Sequence, residues 1–94
     1  MEVKFKPKFW RDLNKLKNEM KVVDAFSKIL QQVEKAKNID EINNIKKLDD
    51  YESRFRIKLF FDKQRDYRIG LYIHRETLWF ARFLHRRKIY NENW

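Results

Sequence analysis

The spacing of apolar residues changes once along this chain, and that change limits the folds it can adopt. In the first third, apolar residues such as Phe9, Leu13 and Leu16 recur every three or four positions, the period of an amphipathic helix. From Arg54 onward the period is two, the alternation of a strand with one buried face. The apolar face of such strands must be covered, and the preceding helices can cover it. This arrangement predicts an α+β fold.

Local signals divide the first half further. Val3 and Phe5 alternate with charged residues and predict a short strand, which ends at Pro7, the only proline. Pro7 suits the first turn of a helix. Two amphipathic helices are predicted next, joined near residues 20–24 by a turn or kink. We interpret the polar residues 38–53 as a surface connection with isolated apolar anchors.

Three antiparallel strands are predicted after Arg54, with turns at residues 62–66 and 74–76. The last strand, residues 77–84, is apolar on both sides and is expected near the sheet centre. One sheet face would carry Ile57, Leu59, Ile69, Leu71 and Ile73 toward the helices, and the other Arg56, Lys58, Arg68, Gly70, Tyr72 and Arg82. The predicted architecture is a β-α-α-β-β-β domain: a strand, then a two-helix hairpin packed on a twisted antiparallel sheet. A chain of 94 residues supplies one core, so residues 1–94 form a single domain.

The charge indicates a polyanionic partner. The net charge is +9 and the isoelectric point is near 9.9, which favours nucleic acid first and an anionic membrane second. Arg11 is the only arginine in the first half, and the others follow residue 51. Because the guanidinium group pairs bidentately with phosphate, we expect the second half to bind the anion. The alternative is a solvated strand face that simply needs charge.

Several site classes lack the necessary residues. The chain has no cysteine, two separated histidines and one glycine, so neither a thiolate or histidine metal site nor a glycine-rich phosphate loop is expected. Ser27 and Ser53 lack a partner pattern for nucleophilic catalysis. We therefore expect no cofactor and no metal. No apolar run reaches the length of a membrane span or of a signal-peptide core, and the expected location is cytoplasmic.

Five sequence blocks carry a family resemblance that runs nearly end to end. They are the aromatic start through Leu16, Ile45-Lys46-Lys47-Leu48, Phe55-Arg56-Ile57-Lys58, Asp66-Tyr67-Arg68-Ile69-Gly70 and Phe83-Leu84-His85-Arg86-Arg87-Lys88-Ile89-Tyr90. Together they resemble the RelE/ParE superfamily of toxins from bacterial and archaeal toxin–antitoxin systems. The sequence departs from the family pattern in a longer turn over residues 59–65 and in its ending after Tyr90.

The resemblance implies a RelE-like mRNA interferase, a metal-independent endoribonuclease that cleaves messenger RNA, usually on the ribosome. RNA supplies its own nucleophile, the 2′-hydroxyl group. The enzyme must then help to remove the 2′ proton, stabilise the negative charge that develops on the phosphorus oxygens, and protonate the leaving 5′-oxygen. Arginine stabilises the charge, and histidine, lysine or tyrosine can transfer the protons.

By resemblance, the candidate catalytic residues are Arg68, His85, Arg86, Arg87 and Tyr90. Arg68 would bind phosphate at the sheet centre, or it is a solvated strand arginine. Gly70 would let a nucleotide approach, or it marks a twist or bulge of the strand. Arg86 and Arg87 are candidates for transition-state stabilisation. His85 is a candidate acid or base, or it orients Tyr90 or caps a strand end. Tyr90 stacks on a base, transfers a proton or packs on the core. The candidate RNA-binding residues are Lys47, Arg56, Lys58, Arg82 and Lys88.

Two other functions fit the same sequence. One is a ParE-like toxin that inhibits DNA gyrase, and the other is a non-catalytic basic RNA-binding domain. Under either toxin hypothesis the resemblance implies a cognate antitoxin as partner, and under the nuclease hypothesis messenger RNA and the ribosome are partners as well. A flexible antitoxin segment would fold onto this domain, with Trp10, Trp79 or Phe83 as suggested contact points.

Overall fold

The protein is an α+β domain in which one five-stranded sheet is covered by two helices. A computed structural model describes residues 1–48, 53–92 and 94. The elements in chain order are β1 (Glu2–Phe5), α1 (Pro7–Asn14), α2 (Met20–Lys35), a 3-10 turn (Ile39–Glu41), β2 (Ile45–Lys47), β3 (Arg54–Phe60), β4 (Asp66–His74), β5 (Thr77–His85) and α3 (Arg86–Ile89). Within these ranges, no helix combines the length and the apolar character that crossing a bilayer requires.

The sheet is mixed, which corrects the prediction of an antiparallel sheet. Its strand order is β1-β5-β4-β3-β2, and β1 pairs parallel with β5 while the other pairs are antiparallel. Hydrophobic period identifies strands but not their direction, so the parallel pair could not be derived from it. β5 is an interior strand, as its two apolar sides predict, but β4 is the central one.

Strand β2 lies inside the segment that was predicted to be a surface connection. Residues 45–47 pair antiparallel with β3. Three residues are too few to establish a period of two, so the pattern could not reveal this strand. Residues 49–52 of the predicted connection lie outside the described residues.

The junction between the two long helices comes earlier than predicted. α1 begins with Pro7 at its first position and ends at Asn14, whereas Met20 already begins α2. In the turn between them, backbone N–H groups reach back three residues, as from Leu16 to Leu13 (2.9 Å) and from Glu19 to Leu16 (2.9 Å). This tight winding keeps a helix-like spacing of apolar residues, which is why the sequence alone placed the junction too late.

The core forms where the helices meet one face of the sheet, and the predicted apolar face is confirmed. Phe9 and Phe26 are buried, and their rings lie 5.5 and 6.1 Å from Phe80. The strand residues of this core are Ile57, Leu59, Ile69, Leu71, Leu78, Phe80 and Phe83, with Ile73 packed against them. Burial of each such side chain contributes about 1.5 to 3 kcal/mol.

α1 also covers an edge of the sheet. β1 ends at Phe5, opposite Phe80, whereas β5 continues to His85. Beyond that point the Asp12 carboxylate accepts the backbone N–H of Phe83 at 3.0 Å and the Nε of Arg82 at 2.8 Å. Asp12 therefore takes the place of a neighbouring strand.

The β4–β5 turn stores backbone strain, and we expect a glycine there to stabilise the fold. Arg75 and Glu76 both have positive φ, 49° and 66°, the pattern of a two-residue hairpin turn that favours Asn-Gly. Because a left-handed conformation costs a non-glycine residue about 1 to 2 kcal/mol, Glu76→Gly should raise the free energy of unfolding by about 1 kcal/mol in urea titrations.

Glu76→Ala is the matched control, since it removes the charge but retains the strained conformation. A stability gain in the alanine variant equal to that of the glycine variant would contradict the backbone explanation.

Candidate active site

Four of the five predicted catalytic residues line one open cleft of about 630 Å³. The cleft lies where β5 passes into α3 and is lined by Phe60, Lys63, Asp66, His85, Arg86, Arg87 and Tyr90. Three of these residues (Phe60, Lys63 and Asp66) belong to the β3–β4 hairpin and were not predicted. The cleft thus combines the end of β5 with the neighbouring hairpin.

His85 fixes the start of α3. It is the N-cap residue, and its Nδ1 accepts the backbone N–H of Arg87 at 3.2 Å. In the neutral imidazole the proton then resides on Nε2. The ring stands edge-on to Tyr67 at 5.9 Å, and burial raises the pKa of the Tyr67 phenol, which keeps this neighbour uncharged. His85 is held in one orientation with Nε2 uninvolved in the cap.

The three consecutive basic residues 86–88 lie in the short helix α3, which directs their side chains to different positions. Arg86, Arg87 and Lys88 are all exposed, but only the two arginines line the cleft. Arg86 approaches the Asp66 carboxylate, with 3.8 Å between Nη1 and Oδ2. Arg87 makes no ion pair with any described residue, and the Tyr90 side chain beside it is exposed. The positive charge of Arg87 is therefore less neutralised than that of Arg86.

Arg68 is buried beneath this site and does not line the cleft. It is 6% exposed, and its Nη1 donates to the Asp66 carboxylate and to the Tyr67 carbonyl at 3.1 Å. Its buried Nε has no hydrogen-bond partner among the described residues. Asp66 lies between Arg68 and Arg86, so Arg68 reaches the cleft only through this carboxylate. An acid two positions before an arginine on the same strand face is a sequence signal that would have indicated the pair.

Trp94 covers the position at which Gly70 was expected to admit a nucleotide. A Cβ atom added to Gly70 would lie 2.7 Å from the indole ring of Trp94. The indole Nε1 donates to the Ile89 carbonyl at 3.2 Å, and the guanidinium of Arg54 lies 5.1 Å from the ring. The missing side chain of Gly70 thus accommodates a residue of this chain.

Two of the candidate RNA-binding residues share the face opposite the helices. Arg56 is paired in register with Gly70, and Lys58 with Arg68. Lys58 is exposed, with Nζ 5.6 Å from the Phe60 ring, whereas Nη1 of Arg56 donates to the Asn44 carbonyl at 3.0 Å. Lys58 therefore lies beside the cleft, and Arg56 is engaged at the sheet edge.

The remaining two candidates on strands lie elsewhere. Lys47 pairs with Phe55, and the alternation of side chains places it on the helix side, opposite Arg56. The Arg82 side chain is 12% exposed and pairs with Asp12, and this hydrogen bond raises the pKa of Arg82. Neither residue borders the cleft.

Comparison with known proteins identifies the fold. No family model and no curated protein matches the sequence. A chain of the crystal structure of the RelB-RelE antitoxin-toxin complex from Methanococcus jannaschii does match, with a TM-score of 0.74 and 26% sequence identity over 95% of this chain and 96% of that one. The protein has a RelE-like toxin fold. Within this RelE-like fold, the cleft is built from the end of β5, from α3 and from the β3–β4 hairpin.

Removal of Arg68 should destabilise the fold. Arg68→Ala leaves the buried Asp66 carboxylate without its main partner, which should lower the free energy of unfolding by about 3 to 5 kcal/mol in urea titrations. Arg11→Ala, which removes an exposed arginine on α1, is the control and should change it by less than about 0.5 kcal/mol. A fully stable Arg68→Ala protein would show that the pair does not hold the structure.

A methyl group at Gly70 should displace Trp94. Contacts below 3 Å cannot persist, so in Gly70→Ala the indole ring should move and lose its bond to Ile89. In NMR spectra the Trp94 indole N–H resonance should then shift, identified by its absence in Trp94→Phe. The indole resonance of Trp10, on α1, serves as an internal control. An unchanged Trp94 resonance would contradict the packing.

Proposed function

We propose that this protein is the toxin of a type II toxin–antitoxin system and acts as a metal-independent endoribonuclease on messenger RNA at the ribosome. The observation that carries the proposal is the convergence of His85, Arg86, Arg87 and Tyr90 on one cleft. An acid or base, two cations and an exposed aromatic hydroxyl in one place are the groups that cleavage by the 2′-hydroxyl requires.

The proposed reaction uses only the RNA and these side chains. The 2′-oxygen attacks the adjacent phosphorus, the bond from phosphorus to the 5′-oxygen breaks, and the products are a cyclic phosphate and a 5′-hydroxyl. His85 donates the proton on Nε2, which the cap leaves available, to the leaving 5′-oxygen. The Tyr90 oxygen, in its phenolate form, is the candidate acceptor of the 2′ proton.

Arg87 is the principal charge stabiliser in this proposal. Arg86 lies 3.8 Å from the Asp66 carboxylate, which offsets part of its charge, whereas Arg87 has no ionic partner among the described residues. A cation that lines the cleft stabilises the negative charge that develops on the phosphorus oxygens. Arg68 acts as a positioning residue, because it orients Asp66 and through it Arg86.

A cognate antitoxin is the proposed protein partner. The similar structure is a complex of a RelE toxin with its RelB antitoxin. Of the suggested contact points on this chain, Trp10 is 47% exposed and Phe83 is buried, so Trp10 is the better candidate. Exposed Met20, at the start of α2, adds apolar surface on the helical side.

Cleavage assays on programmed ribosomes test the proposal. Cuts in the message should be mapped for the purified protein, and Arg87→Ala should lower the cleavage rate about 10²- to 10³-fold, with a smaller effect for Arg86→Ala. His85→Gln should lower it about 10²- to 10⁴-fold through loss of proton transfer.

Lys21→Ala, an exposed cation on α2, is the matched control and should cleave at the normal rate. Unchanged cleavage in both Arg87→Ala and His85→Gln would overturn the site. Inhibition of gyrase supercoiling with an intact message would favour the ParE-like alternative, since a shared fold does not determine function.

A further inference from the structure

An exposed phenyl ring and a lysine border the cleft on the side opposite α3. Phe60, at the end of β3, is 56% exposed although it neighbours the buried Leu59. Lys63 follows in the turn and lines the same cleft. Side-chain alternation places Phe60 on the sheet face of Lys58, away from the helices.

The hairpin tip that carries these residues is ordered by its own contacts. The Asp62 carboxylate accepts the backbone N–H groups of Gln64 (2.9 Å) and Arg65 (2.8 Å), and it also accepts Arg65 Nε at 2.8 Å. The backbone N–H of Phe61 donates to the Arg65 carbonyl at 3.0 Å. These bonds close the turn without involving the side chains of Phe60 or Lys63. Both side chains therefore project from a turn whose backbone is held by hydrogen bonds.

The surroundings of Phe60 have the chemistry of a single-stranded nucleic-acid site. Lys58 Nζ lies 5.6 Å from the ring, and Lys63 and Arg87 line the cleft next to it. The Asp66 carboxylate in the cleft is already paired with Arg68. Aromatic faces interleaved with unpaired cations bind unstacked bases and phosphates together.

We propose that Phe60 and Lys63 form a nucleotide subsite beside the scissile phosphate, in which Phe60 stacks on a base of single-stranded RNA and Lys63 contacts the backbone phosphate. The inference rests on the proposed function in taking the cleft as the RNA site. It adds a substrate contact supplied by the hairpin. The exposed ring of Tyr90 lies in the same cleft on the α3 side, so an RNA strand would pass between two aromatic residues.

Binding of a non-cleavable ligand tests this subsite. The probe is a short, fluorescently labelled RNA whose 2′-hydroxyl groups are replaced by hydrogen, and the readout is fluorescence anisotropy. Base stacking on an aromatic residue changes affinity about 5- to 150-fold, so Phe60→Ala should weaken binding within that range. Phe60→Tyr should bind normally because it keeps the ring. Phe60→Leu should bind as weakly as the alanine variant, because it is apolar without a stacking face.

Lys63→Ala gives a second, electrostatic readout. Loss of one phosphate contact should reduce the slope of the logarithm of the binding constant against the logarithm of salt concentration by about 0.7, the value for single strands. The control is Lys21→Ala, which should leave the slope unchanged.

The outcomes separate this inference from the proposed function. If the wild-type protein binds the probe and Arg87→Ala weakens binding while Phe60→Ala and Phe60→Leu do not, the subsite is wrong and the RNA site stands. If the wild-type protein does not bind the probe, the subsite for free single-stranded RNA is overturned, whereas the proposed function is decided separately by cleavage on programmed ribosomes. Equal affinities of Phe60→Tyr and Phe60→Leu would also overturn the stacking role, and this comparison does not depend on the stability of the alanine variant.

Discussion

The Asp66 carboxylate connects the interior of the sheet to the rim of the cleft. On one side it accepts a hydrogen bond from the buried Arg68, and on the other it lies 3.8 Å from the exposed Arg86. Burial of two charges costs several kcal/mol in desolvation, which their attraction offsets only when the geometry is well defined. Such a pair contributes little net stability compared with an apolar pair, but it specifies position. Here it holds the Asp66 carboxylate beside Arg86, the first residue of α3.

The organisation of the cleft follows from that constraint together with the cap of α3. His85 ends β5 and begins α3, and its ring nitrogen accepts the Arg87 N–H. The chain therefore turns at a defined residue, which places Arg87 and Tyr90 beside the β3–β4 hairpin. The candidate chemical groups lie on a strand end and a single helical turn, whereas the proposed base contact lies on a hairpin braced by Asp62. Rigid support from two separate elements is what a site needs to hold a flexible strand of RNA.

The parts of the fold with a clear period could be predicted from the sequence, and the parts determined by contacts between distant residues could not. Alternation in β3 and β4 correctly assigned Ile57 and Ile69 to the core face. The parallel pairing of β1 and the short strand β2 depend on neighbours that no local pattern reveals. At the site, the run from His85 to Tyr90 could be singled out because it is one of the blocks that carry the family resemblance. The burial of Arg68 depends on Asp66, and the cover of Gly70 depends on a contact with Trp94, 24 positions away in the sequence.

The contact of Asp12 with the edge of β5 has a consequence for self-association. A free strand edge presents unpaired N–H and carbonyl groups on which a strand of another molecule can align, and this is a common route to aggregation. The negatively charged Asp12 carboxylate already accepts the Phe83 N–H, and it forms an ion pair with Arg82. A foreign strand arriving at this edge would have to displace an ion pair before gaining its first hydrogen bond. The first helix thus blocks strand addition at this edge of β5, in addition to covering the core.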